Sequence, residues 1–313
     1  MENQTQITHF ILLGLTTQQE LQKLLFVLFL LLYLVTVLGN GTIVCVVWTE
    51  IQLHTPMYFF LSNLSCLDIC YSTVILPKIL SGLFLAHQRI SFVGCITQLH
   101  FFHFLGSSEA LLLAAMAYDR YVAICNPLHY PVIMSRQICL LLAATIWAMG
   151  FFHALMHAIM TSKVHFCGPN VIEHFFCDIK PLLRLACSNT RVNLSLLNIV
   201  TGLLVMAAFL FTLLSYIYII SFLILKVKSH SRRWKSFSTC STHLTVVCLL
   251  YVPVLFNYIP PSSGDSPQRD MIVTLMYSVI TSVLNPLIYT LRNQDMKSAI
   301  RKTVHRVVIS IKR

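Results

Sequence analysis

Apolar residues fall along this chain in long uncharged runs, not in the short alternating stripes of a soluble fold. Leu24 to Trp48 holds 25 residues without an Asp, Glu, Lys or Arg. A helix of that length rises about 1.5 Å per residue and exceeds a hydrocarbon core of ~30 Å, so it can span a bilayer with some tilt. The pattern predicts seven such spans, at 24–48, 57–80, 95–121, 138–161, 195–225, 237–259 and 271–291. These runs are far too long for barrel strands, and helices satisfy their own backbone in lipid. The sixth opens on Ser238, Thr239, Ser241, Thr242 and His243, whose polar atoms can bond their own helix or a neighbour. The predicted fold is an all-α membrane protein, a seven-transmembrane helix bundle over 24–291. An outer tail (1–23) precedes it and a tail with a short amphipathic helix (292–313) follows. In that last segment Met296, Ile300, Val304 and Val307 share one face, with Lys297, Arg301, Lys302 and Arg306 elsewhere. Such a helix suits the inner membrane surface.

Composition agrees. Charged residues make up 11% of the chain and mean hydropathy is +0.75, where soluble domains average about 25% charged. The net charge of +11 could point to nucleic acid, but its distribution points elsewhere. Of the 22 Lys and Arg, 14 fall in one set of inter-span segments and 8 in the other. The richer side is expected to be cytoplasmic, which puts the N-terminus outside and makes the charge a topology signal and a lipid anchor. No cleavable signal is expected, because residues 1–23 are polar and the first apolar run is too long.

On the expected outer side, Asn3 heads a glycosylation sequon. Asn193 heads another hard against the fifth span, and the sequons at Asn40 and Asn63 lie within spans. Cys95, Cys167, Cys177 and Cys187 also fall outside. Free thiols are unusual in an oxidising compartment, and four cysteines allow three pairings.

Polar groups inside the spans mark further candidates. Asp68 and Glu109 sit mid-span with no Lys or Arg at their depth. They could share a cation such as Na⁺, or be protonated and bonded to Asn40, Asn285 or nearby serines. Asp119 and Arg120, adjacent at the end of the third span, can pair as a static anchor or as a switch. Pro286 bends the seventh span, flanked by Asn285 and Tyr289. No nucleophile, base or metal set clusters, so an enzyme is not expected. No inverted repeats or broken helices in matched positions suggest a transporter.

Several strings carry a resemblance. They are Leu53-His54-Thr55-Pro56-Met57-Tyr58-Phe59-Phe60-Leu61, Met116-Ala117-Tyr118-Asp119-Arg120-Tyr121-Val122-Ala123-Ile124-Cys125, Ser215-Tyr216, Lys235-Ser236-Phe237-Ser238-Thr239-Cys240-Ser241-Thr242-His243-Leu244, and Asn285-Pro286-Leu287-Ile288-Tyr289 with Thr290-Leu291-Arg292-Asn293. In this order the chain resembles a rhodopsin-like G-protein-coupled receptor, and more narrowly a vertebrate olfactory receptor. Ser236 replaces the family's usual Ala, and Val252 and Pro253 depart from its sixth-span pattern. The resemblance implies disulfides Cys95–Cys177 and Cys167–Cys187. It implies a sodium site at Asp68 and Glu109, with no other cofactor, and a switch comprising Asp119, Arg120, Tyr121, Tyr216, Asn285, Pro286 and Tyr289. The implied partners are a small, mostly apolar odorant and a G protein of olfactory or stimulatory type that raises cyclic AMP. The implied binding site is an apolar cavity in the outer half of the bundle. Helical spacing offers Phe102, His103, Gly106 and Ser107 from the third span. Facing candidates are Val200 and Leu204 from the fifth, Tyr251, Val254, Leu255 and Tyr258 from the sixth, and Ser278 from the seventh. His103 and Tyr258 are the polar choices.

Overall fold

A computed structural model describes residues 7–16, 18–84, 88–167, 169–258 and 267–311. Its long helices follow the apolar runs: α1 (Gln19–Thr49), α2 (Pro56–Phe84) and α3 (Phe92–Cys125), then a short α4 (Tyr130–Ile133) and α5 (Arg136–Ser162). After α6 (Ile179–Leu183), the fifth span is built from α7 (Arg191–Leu196), a π-helical turn (Leu197–Thr201) and α8 (Gly202–Leu225). The sixth is α9 (His230–Tyr258). The seventh joins α10 (Pro267–Leu275), a second π turn (Met276–Ile280) and α11 (Thr281–Arg292); α12 (Gln294–Ile311) follows. Among the described residues, seven helical segments are long and apolar enough to cross a membrane. They run past most of the predicted ends, because caps and polar first turns continue a helix beyond its apolar stretch. Pro56 opens α2, where a missing N–H costs nothing, and Ser91 Oγ accepts from Gly94 N–H at 3.1 Å to cap α3.

Burial separates core from perimeter. In the middle of α3, Leu112, Leu113 and Ala117 are fully buried. On α1 the buried residues are Phe29, Thr36, Asn40, Ile43, Val46 and Val47, while Leu24, Leu31 and Leu38 are more than half exposed. An apolar face left open along a helix this long is solvated by lipid tails, not by water. Close approach needs small residues. Pro286 Cβ would lie 3.1 Å from any Cβ at Gly39, and a Cβ at Gly150 would meet Ser108 and the Phe104 carbonyl.

The N-terminal segment is more than a tail. His9–Leu12 forms β1, pairing antiparallel with β2 (Gln88–Ser91) and parallel with β3 (Val171–Ile172). Phe10 and Leu12 are buried beneath this sheet. Four residues are too few for a readable alternation, so the strand escapes a sequence reading. The structure bonds Cys95 to Cys177 and Cys167 to Cys187, with Cα atoms 5.4 and 5.8 Å apart. Together, sheet and disulfides fold the 163–190 loop across one end of the bundle as a lid.

At the opposite end α12 packs on the bundle. Met296 and Ala299 are buried, and Lys302 and Arg306 bond the buried Glu50 carboxylate at 3.0 and 2.6 Å. Two of the four basic residues set apart from the apolar face therefore bond to protein. The side chains of Val304 and Val307 lie outside the described residues, as does Asn3. Asn193 is buried, which argues against glycosylation there.

Candidate functional site

Beneath the lid lies a cavity that leaves about 50 Å³ to the centres of water-sized spheres. Tyr71, Phe102, His103, Gly106, Ser107, Ala110, Thr201, Val205, Leu250, Tyr251, Val254 and Tyr277 line it. Of the residues selected from sequence, Phe102, His103, Gly106, Ser107, Tyr251 and Val254 are among these. Val200, Leu204, Leu255 and Ser278 are not, and the side chain of Tyr258 lies outside the described residues. The fifth-span difference has a geometric cause. Val200 and Leu204 are replaced on the wall by Thr201 and Val205, the same spacing moved by one residue. The π turn at Leu197–Thr201 holds one residue more than an α turn and shifts the face by that step. In the seventh span Tyr277, within the second π turn, lines the cavity, and Ser278 Oγ donates to the Thr274 carbonyl instead. Tyr71 was missed because the second span was not considered.

The wall combines small hydroxyls with aromatic rings. Ser107 Oγ lies 2.9 Å from His153 Nδ1, and Thr201 Oγ1 lies 2.9 Å from His153 Nε2 and 3.0 Å from His157 Nε2. His103 is not a free ligand group at both nitrogens. Its Nε2–H donates to Asp178 Oδ1 at 3.1 Å, tying α3 to the lid. Asp178 also accepts from Ile179 N–H and so opens α6. Burial pushes the Asp178 carboxyl up, but the hydrogen bonds from His103 and Ile179 N–H, with the nearby His103 and His174 rings, together hold it below the usual carboxylate range. Phe176 of the lid packs on Phe102 with centroids 4.5 Å apart, and Cys177 N–H donates to Gln98 Oε1. The Tyr71 and Phe102 rings pack together with centroids 5.2 Å apart, and Tyr251 donates to the Ala110 carbonyl at 2.8 Å.

At mid-depth the two acids are fully buried. Asp68 accepts from Asn285 Nδ2 at 3.2 and 3.1 Å. Asn40 bonds elsewhere: its Nδ2 donates to the Ser282 carbonyl at 3.1 Å, the group that Pro286, lacking an N–H, leaves unpaired. Glu109 Oε1 and Asn285 Oδ1 have no hydrogen-bond partner among the described residues.

At the end away from the lid, Arg120 donates to Asp119 at 2.6 and 3.1 Å. Tyr130 O–H of α4 donates to the other Asp119 oxygen at 2.7 Å. Burial, and then Asp119, raise the Tyr130 phenol, so it stays a donor. Tyr216 pairs with His243 Nδ1 at 2.6 Å across α8 and α9. Tyr121 lies near Tyr118, tilted, and near Tyr218, edge-on, and Tyr289 is buried with an unpartnered hydroxyl among the described residues. Tyr130 was not foreseen. Its position eleven residues past Asp119 carries no spacing signal; only the turn after α3 brings it back.

The comparisons agree with this architecture. Residues 29–307 match the family model for olfactory receptors. The chain is 58% identical to olfactory receptor 12D1 of Homo sapiens, over 98% of this chain and 96% of the relative. It is 58% identical to human olfactory receptor 12D3, over 96% of each. Olfactory receptor 1f45 of Rattus norvegicus is 50% identical, again over 96% of each.

Proposed function

We propose, for a chain that belongs to the olfactory receptor family, that a small, mostly apolar volatile ligand enters the cavity beneath the lid and activates a heterotrimeric G protein at the Arg120 end. Members of this family are receptors and not enzymes, and the chain is an odorant receptor of the G-protein-coupled kind, set in the plasma membrane by its seven spans. The finer parts of the proposal are the G protein, of olfactory or stimulatory type raising cyclic AMP, and an extracellular N-terminus. The lysine and arginine bias supports that orientation.

One observation carries the mechanism. A single rigid helix, α3, lines the cavity with Phe102, His103, Gly106 and Ser107 and ends in the Asp119–Arg120 pair. A ligand that presses on Tyr251 and Val254 moves α9 against α3. The Tyr216–His243 contact then shifts, Asp119 releases Arg120, and a cleft opens for the G protein. Ligand and G protein are coupled because both favour the same parted state.

The acids suit a sodium ion. Asp68 supplies a carboxylate, and Glu109 and Asn285 each present an oxygen without a hydrogen-bond partner among the described residues. Bound there, the ion would neutralise charge that no Lys or Arg balances at that depth.

The test is a broad odorant panel with cyclic AMP as readout in cells expressing the chain. A concentration-dependent rise absent from mock-transfected cells is expected. Substrate flux or current in the absence of any G protein, with no cyclic AMP, would overturn the proposal.

A further inference from the structure

Two aliphatic hydroxyls, those of Ser107 and Thr201, line the cavity, and imidazoles hold both. His153 stands between them, with Nδ1 2.9 Å from Ser107 Oγ and Nε2 2.9 Å from Thr201 Oγ1. His157 approaches the same Thr201 oxygen at 3.0 Å. Both imidazoles are buried on α5, one turn apart, and neither lines the cavity. One ring thus spans a hydroxyl on α3 and another on the π turn of the fifth span, and the second ring fixes the latter. A hydroxyl offers one O–H and two lone pairs. Thr201 uses two of its three positions on imidazoles and keeps one for the cavity. Ser107 uses one and keeps two.

Among the described residues no Lys, Arg, Asp or Glu lines the cavity, and His103 is matched at the rim by Asp178. A carboxylate or ammonium group would be stripped of water there without a counterion, which is costly. The lining also offers the rings of Tyr71, Phe102, Tyr251 and Tyr277.

Resting on the receptor reading above, we infer that the cavity takes a neutral ligand with one hydrogen-bonding head, an alcohol, phenol or ketone on a compact apolar body. Ser107 and Thr201 receive the head. His153 and His157 are positioning residues that aim those hydroxyls without touching the ligand.

The test uses matched quartets on phenyl, cyclohexyl and hexyl bodies, each as hydrocarbon, primary alcohol, carboxylate and ammonium. Cyclic AMP is read in cells expressing the full chain, with surface amount measured by an antibody to an N-terminal tag. The alcohol is expected to lead its quartet. Thr201→Val and His153→Leu should raise its half-maximal concentration about tenfold, the size of one lost hydrogen bond, at matched surface amount. Thr201→Ser and His153→Gln, which keep a bonding group, should stay near wild type. Alcohol and hydrocarbon of equal potency, or a leading carboxylate or ammonium, would overturn the ligand class. Equal damage from His153→Gln and His153→Leu would overturn the positioning role. Silence across all three bodies also overturns the ligand class. Basal cyclic AMP above that of Arg120→Ala would then leave the receptor reading standing, and a basal level equal to it would count against both.

Discussion

Gly150 shows how much rests on single atoms. A Cβ there would collide with Ser108 Oγ and come within 2.9 Å of the Phe104 carbonyl, so α3 and α5 meet only because the side chain is absent. Gly150→Val should destabilise by about 1–3 kcal/mol, as overpacking does, and lower the melting temperature of the purified receptor. A second residue-scale prediction concerns Tyr130, whose hydroxyl donates to Asp119 at 2.7 Å beside Arg120. Tyr130→Phe removes one of the bonds holding the pair closed and should raise basal cyclic AMP a few-fold, in line with a hydrogen bond of about 1 kcal/mol; an unchanged basal level would deny Tyr130 that role. A third concerns the acids. Sodium chloride, against choline chloride, should raise the melting temperature of the wild type by mass action, and Asp68→Asn should abolish the difference. At this scale the sequence was informative wherever a residue was costly where it stood. Asp68, Glu109 and Asp119 announce themselves by depth or adjacency. Tyr130 and His153 do not, because their roles depend on partners that only the fold brings near.

The elements were legible by type and less so by register. Seven apolar runs predict seven helices, but a run does not reveal an extra residue inside a turn. In the fifth and seventh spans, both of which contain a π turn, the cavity wall lies one residue from the expected positions. The short strands β1 to β3 were likewise invisible, yet they hold the lid. The lid carries a pH prediction. Burial pushes His174 down to about 4, against the pull of Asp178, with Arg184 adding to the fall. The unfolded imidazole titrates near 6.5, so the loosened loop binds more protons below that value. Lid stability should fall as pH drops from about 6.5 towards 4. Asp178, held below the usual carboxylate range, loses its contribution only at still lower pH. Limited proteolysis of the 169–187 loop should speed up at pH 5 relative to pH 7.4, and His174→Phe should remove most of that increase.

The whole molecule divides by depth. Near the lid, the cavity wall is assembled from residues whose identity no motif dictates. Near Arg120, the short strings quoted from the sequence account for most of the contacts. The family could therefore be read from sequence, while the ligand's chemistry needed the geometry of Ser107, Thr201 and their histidines. The central claim is that α3 couples these two ends. It is tested most directly by the concentration–response curve for cyclic AMP, with one activating odorant, in Arg120→Ala against wild type at equal surface amount. The coupling account predicts that binding at the lid end survives while the response is lost. A fully signalling Arg120→Ala receptor would contradict it.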